Sequence, residues 1–273
     1  MPAHATTPTD IDGSVLAAAL AALHERSPLT QCLTNIVVAN WTANVLLAIG
    51  AAPAMVDNPH EAGIFAGIAG GVLINLGTPY DDTTAGMDAA AAGASAAGVP
   101  WVLDPVAAGG LPWRTDSAQR LLAAHPPAIL RGNASEILGL TGGAGGRGVD
   151  SSDPTEAAEA AATDLAVRHH CVVAVSGPVD YLTDGTRTVR VANGHPWMTK
   201  VTGVGCSLGA LMAAFAGAVE DHLVAATAAT ASLTIAAEVA AARTSGPGSF
   251  AVALLDELAA LTPDTMAERI RWA

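Results

Sequence analysis

The run Lys200-Val201-Thr202-Gly203-Val204-Gly205-Cys206-Ser207-Leu208-Gly209-Ala210 holds the residue types richest in chemistry in this chain. Gly203 and Gly205 stand one residue apart, directly before a long apolar segment, 208–219, that reads as a helix. Glycine lets a chain turn tightly and brings backbone N–H groups close to a ligand. A helix start adds unpaired N–H donors and a partial positive charge. Such a corner binds anions, phosphate above all. Cys206 then stands where a reactive group would face the anion. A free thiol titrates near pH ~8.5; a helix start lowers that value, and bound phosphates raise it again. Cys206 is therefore read as a weak candidate base facing the anion, beside the backbone donors that Gly203 and Gly205 expose. Taken alone, the same residues also describe a strand-to-helix turn that only packs.

A second run, Arg131-Gly132-Asn133-Ala134-Ser135-Glu136, follows an apolar strand candidate at 128–130. An arginine there is poorly explained as packing, because burying its charge unpaired is costly. It offers a permanent charge to a bound anion. Asn133 and Glu136 have the spacing of a capping box, which is the structural reading of Glu136. The functional reading makes Glu136 a carboxylate that orients Mg2+ through water, with Asp104 on the adjacent strand end as its partner. The other strand ends carry Asn35, Met55, Asn75, Gly77 and Ser176. Each also has an ordinary reading as cap, turn or core residue. No GxxxxGK[ST] occurs, which excludes the usual P-loop.

The elements that must position these residues alternate. Strands are expected at 30–34, 54–56, 72–76, 101–103, 128–130 and 171–175. Helices are expected at 14–24, 39–49, 83–97, 117–124, 133–140, 155–168 and 208–219. Residues 181–191 read as a hairpin about Asp184-Gly185. The C-terminal third is helical, broken at Gly246-Pro247-Gly248. This alternation predicts an α/β fold, a mostly parallel central sheet with helices on both faces. Ligands of such sheets gather at the carboxyl ends of the strands, where the residues above lie. Residues 1–273 show no linker, so one domain is expected, with 1–13 a flexible tail and 141–148 a glycine-rich loop.

Of the 273 residues, 51% are hydrophobic and 14% charged, with a net charge of −13. That charge argues against nucleic acid and anionic membrane as partners. An anionic substrate then needs a local basic site, and the one lysine, Lys200, lies beside the glycine pair. Cys32, Cys171 and Cys206 form no metal-like spacing, and no basic leader precedes Arg26, so a reduced cytoplasmic protein is expected. The apolar stretches 63–77 and 223–237 are shorter than a membrane span of ~20 residues and read as buried elements.

Asn-x-x-Glu followed by a Gly-x-Gly helix start resembles the ribokinase-like superfamily of small-molecule kinases. Within it, the chain resembles the hydroxyethylthiazole kinase family. The matching runs, in order, are Gln31-Cys32-Leu33-Thr34-Asn35, Asn40-Trp41-Thr42-Ala43-Asn44, Gly50-Ala51-Ala52-Pro53-Ala54-Met55, Leu76-Gly77-Thr78, Leu103-Asp104-Pro105-Val106, Arg131 to Glu136, Gly177-Pro178-Val179-Asp180-Tyr181, and Thr202 to Cys206. Many ribokinase-like relatives carry Asp where this chain has Cys206, and the thiazole kinases often have Thr in place of Ser176. The resemblance implies phosphorylation of 5-(2-hydroxyethyl)-4-methylthiazole by ATP and Mg2+, in thiamine biosynthesis or salvage. It implies that Met55 and Gly203 contact the thiazole, with Asn35 beside them, and that Arg131 and Ser176 contact the nucleotide. It places Asp104 and Glu136 around magnesium and Cys206 at the substrate hydroxyl. It also implies a homotrimer with active sites between subunits. The rival readings are a ribokinase-like kinase for hydroxymethylpyrimidine or a sugar, a nucleotide-dependent hydrate dehydratase, and a nucleotide-binding module without turnover.

Overall fold

The structure is a computed structural model that describes residues 10–142 and 155–273. The glycine-rich loop expected at 141–148 lies almost wholly outside these residues, as does most of the tail expected at 1–13. Eight strands form one sheet: β1 (Leu29–Leu33), β2 (Ala52–Ala54), β3 (Gly71–Asn75), β4 (Trp101–Asp104), β5 (Ile129–Asn133), β6 (Val172–Ser176), β7 (Asp180–Thr183) and β8 (Thr188–Val191). Their spatial order is β2-β1-β3-β4-β5-β6-β7-β8. The first six run parallel, and β7 and β8 add an antiparallel hairpin, so the sheet is mostly parallel as expected. Asp184 closes that hairpin by accepting the N–H groups of Thr186 and Arg187. The outer edge of β8 is covered by the C-terminal segment, with Ala192 N–H on Arg271 O and Ala273 N–H on Arg190 O.

The helices are α1 (Gly13–Arg26), α2 (Ala39–Ile49), α3 (Ala62–Ala66), α4 (Asp81–Ala97), α5 (Pro112–Ala124), α6 (Ala134–Leu140), α7 (Thr155–His169), α8 (Val204–Ala218), α9 (His222–Ala242), α10 (Pro247–Ala259) and α11 (Pro263–Arg269). A 3-10 turn, Pro196–Lys200, precedes α8. Two apolar cores result, one on each face of the sheet. Buried residues of α1, α2, α8, α9 and α10 build one, and those of α3 to α7 build the other. Helix α9 is the one described helix long and apolar enough to cross a membrane, and 89% of its apolar window is buried within the fold.

Most elements match the sequence reading, and the departures have local causes. The second strand lies at Ala52–Ala54 rather than 54–56, which leaves Met55 just beyond its end. Helix α5 begins five residues early because Pro112 occupies its first turn, where the missing N–H costs nothing. Helix α8 begins at Val204 rather than 208. Gly203 is its cap, with a φ of 94° that side chains rarely adopt, so the two glycines are helix start and not loop.

Small residues let α8 lie directly on the sheet. A Cβ on Gly71 of β3 would collide with Ala213 O, and one on Gly217 would stand 2.5 Å from Gly70 O. At the other end of α8, a Cβ on Gly209 would stand 2.8 Å from Leu73 Cδ1 and 3.7 Å from Asp104 Cβ. The helix therefore runs against the direction of β3. Its N-terminus is delivered to the carboxyl ends of β3 and β4, as an anion site requires.

Candidate active site

Arg131 is the centre of the site. It lies on β5 with 6% of its surface exposed. Its Nη1 donates to Asp104 Oδ2 at 3.2 Å and to Gly205 O at 2.9 Å, and its Nη2 donates to Ser176 Oγ at 2.8 Å. One guanidinium thus ties the ends of β4 and β6 to the first turn of α8. Burial opposes its charge, but Asp104, Glu136 and Cys206 outweigh that and raise its pKa. Its Nε is buried without a partner.

From Arg131 a buried polar row runs toward the other end of the site. Asp104 Oδ2 accepts from Asn75 Nδ2 at 2.7 Å, and Asn75 Oδ1 accepts from Asn35 Nδ2 at 2.9 Å. Asn35 Nδ2 also reaches Cys206 Sγ at 3.6 Å. Parallel register explains the meeting: Asn75 and Asp104 are paired at the ends of β3 and β4, and Asn133 and Ser176 at the ends of β5 and β6. Sequence reading noted Asn75 only as a strand end. A side-chain amide closing an otherwise apolar, fully buried strand was the available signal.

Helix α8 has no side-chain cap, and its first backbone return is Ser207 N–H to Gly203 O. The N–H groups of Val204, Gly205 and Cys206 accordingly belong to the open first turn. Gly203 fits closely: a Cβ there would lie 2.8 Å from Trp41 Cδ1 and 3.0 Å from Val38 Cγ1. Cys206 is partly buried, and burial together with the Asp104 charge pushes its thiol above the ordinary value. The amides of Asn75 and Asn35 and the Arg131 charge pull the other way without prevailing. The expected lowering by the helix start is therefore corrected: desolvation wins.

Glu136 plays the part of a cap in full. Asn133 Oδ1 accepts from Glu136 N, and Glu136 Oε2 accepts from Asn133 N. Its Oε1 takes the N–H of Ala107 in the loop after β4. Both oxygens are thus held by backbone donors while the charge stays beside Arg131 and Asp104. Met55 stands apart from this row, at the exit of the outermost strand and 39% exposed. Lys200 is exposed at the end of the 3-10 turn.

Asp104 and Asp180 are each pushed up to about 6 by burial, with Arg131 partly restoring the charged form. Asp180 Oδ1 also accepts the N–H of Gly177 in the turn after β6. The folded chain holds the Asp180 proton more tightly than the unfolded chain. Its contribution to stability therefore falls as pH rises from about 4 to about 6 and is level above. Asp180→Asn keeps the acceptor for Gly177 and removes the charge. Thermal melts should show a gain on the order of 2 kcal/mol near pH 7 and almost none near pH 4. An equal effect at both pH values refutes the burial cost.

The model of the hydroxyethylthiazole kinase family matches residues 20–264. A hydroxyethylthiazole kinase of Cutibacterium acnes is 55% identical over 270 residues, which cover 98% of this chain and 97% of that one. The solved hydroxyethylthiazole kinase protein of Pyrococcus horikoshii superposes with a TM-score of 0.87 at 36% identity, covering 94% of this chain and 98% of that one. A ribokinase-like superfamily protein of Enterococcus faecalis, 11% identical, shares the fold at a TM-score of 0.61 over 94% of this chain and 92% of that one. The fold is ribokinase-like, and the chain belongs to the hydroxyethylthiazole kinase family.

Proposed function

We propose that this chain transfers the γ-phosphoryl group of ATP to the hydroxyl of 5-(2-hydroxyethyl)-4-methylthiazole, in thiamine biosynthesis or salvage. The observation that carries this reading is the meeting of Arg131, Ser176 and Gly205 under the open end of α8, in a chain that matches thiazole kinases along nearly its whole length. In the reaction the substrate oxygen bonds to the γ-phosphorus as the bond to the ADP oxygen breaks. Such a transfer needs mostly positioning and charge stabilisation. The first-turn N–H groups of α8 face the moving phosphoryl group, with Gly203 and Gly205 leaving the approach clear. Arg131 and Ser176 hold the nucleotide phosphates. Met55, Gly203 and Asn35 receive the thiazole, a neutral ring with one hydroxyl suited to small and apolar walls. Cys206 faces that hydroxyl and takes its proton.

The carboxylates suit magnesium. Asp104 Oδ1 is buried without a partner, and Asp104, Glu136 and Asp180 share the single nearby charge of Arg131. Among the described residues no three such side chains form a metal cage. That agrees with an ion held by one or two carboxylates, phosphates and water. We assign Asp104 to hold it and Glu136 to orient its water; when bound, the ion neutralises phosphate charge. The substrate reading is tested by ATP consumption with the thiazole alcohol, hydroxymethylpyrimidine and ribose in turn. Turnover is expected with the thiazole alone and should vanish in EDTA. Turnover with ribose only rejects the substrate, and full activity in EDTA rejects the metal.

The homotrimer finds support in exposed apolar side chains beside the site. Ile36, Val37, Met55 and Ile64 come from the exits of β1 and β2 and from α3, and each is 39% exposed or more. A surface of this kind is normally covered. A neighbouring subunit there would complete the pocket that Met55 leaves open. Light scattering should return the mass of three chains, and a monomer mass refutes it. We place the enzyme in the cytoplasm, where its three unbridged cysteines stay reduced.

Cys206 provides the sharpest catalytic test. Cys206→Ala should slow turnover ~10²-fold, the lower range for a general base, with ATP binding kept. Native turnover should still be rising above the ordinary thiol range, because the thiol is pushed up. Cys206→Asp should be flat there and at least as fast at neutral pH. An alanine variant that matches the native rate at every pH removes the base and leaves catalysis to α8.

A further inference from the structure

Asn75 is fully buried and touches both halves of the site, yet it has no part in the chemistry above. Its Oδ1 accepts two donors, Asn35 Nδ2 at 2.9 Å and Gly77 N at 3.0 Å. Its Nδ2 donates to Asp104 Oδ2 at 2.7 Å. Two of these three partners have fixed polarity. A backbone N–H only donates, and a carboxylate that also takes Arg131 only accepts. The orientation of the Asn75 amide is therefore dictated by chemistry. It follows that Asn35 must turn its NH2 toward Asn75 Oδ1. The same nitrogen then faces Cys206 Sγ at 3.6 Å. Gly77 closes the space behind: a Cβ there would lie 2.5 Å from Asn35 Nδ2.

We infer that Asn75 is a positioning residue for phosphoryl transfer, acting through Asn35 to hold the Cys206 sulfur as a hydrogen-bond acceptor on the substrate side of the site. Donation diverges from Asn35 Nδ2, one N–H going to Asn75 Oδ1 and on through Asn75 Nδ2 to Asp104, the other going to the Cys206 sulfur. The sulfur receives an N–H on its inner side, which leaves its partly exposed side for the substrate hydroxyl. Asn75 itself never meets the substrate. The inference deepens the reading of Cys206 given above and rests on it.

The test combines Asn75→Leu, Asn35→Ala and the double variant. Two quantities are measured: kcat and KM for both substrates, and the rate of alkylation by iodoacetamide. Cys32 and Cys171 are buried, so alkylation reports Cys206. An N–H donor favours the thiolate, so its loss should slow alkylation of either single variant at least ~3-fold. Each should lose ~10-fold or more in kcat with KM for ATP nearly unchanged. Because Asn35 also meets the thiazole, the single path is judged on alkylation: the double variant should alkylate no more slowly than Asn75→Leu, because both changes break one path to the sulfur. Multiplying losses in alkylation rate overturn the inference. Where Asn75→Leu does not fold, Asn35→Ala decides: an alkylation rate unchanged or faster than native overturns it. A native protein without thiazole kinase activity rejects the substrate reading instead, and alkylation still judges the contact.

Discussion

A buried guanidinium is the interaction on which the rest of the site depends. Arg131 sits where three elements converge, and each supplies one acceptor: a carboxylate from β4, a hydroxyl from β6 and a main-chain carbonyl from α8. A charge this deep is tolerated only when it is paired and hydrogen-bonded. Removing one partner would leave the others desolvated and uncompensated, at a cost of ~3–5 kcal/mol in comparable pairs. The ion pair therefore serves less as added stability than as a constraint on geometry. It holds the start of α8 at one distance from the strand ends, and an anion bound there meets fixed donors rather than mobile ones.

That constraint works because the sheet and α8 approach so closely. Gly71, Gly209 and Gly217 remove the side chains that would lift the helix away. The cost is weaker local helix propensity at Gly209 and Gly217, about 1 kcal/mol each, offset by the burial of nearly every residue of α8. A chain with a net charge of −13 can thus bind a polyanionic nucleotide. In the proposed site the attraction is local, made of one arginine and an uncapped helix turn, and needs no basic surface.

In the proposed site, structural and chemical duties fall on the same atoms. Glu136 completes a capping box and pins the loop after β4 with the oxygens that would steer a hydrated cation. Glutamine at this position would bring an NH2 against one of two backbone donors. It would cost a buried hydrogen bond, ~1–2 kcal/mol, as well as a charge. Asp104 shows the opposite economy, with one oxygen bound twice and the other without any partner.

What the sequence determined by itself is local or periodic. The alternation of apolar runs and helices set the α/β class, and Asp184-Gly185 set the hairpin. Asn133 and Glu136 announced their cap, and Gly203 and Gly205 announced a helix start beside a thiol. These follow from neighbours within a few residues, where turn, cap and period rules apply. The tertiary structure alone decided which strand ends meet. Asn35 and Cys206 are 171 positions apart, and Arg131 and Gly205 are 74 apart. Their contact depends on strand order and on α8 lying flat against β3, which no local pattern encodes. The thiol's charge state was decided there too. A helix start argues for lowering it, but burial and the Asp104 charge are products of packing, and they prevail.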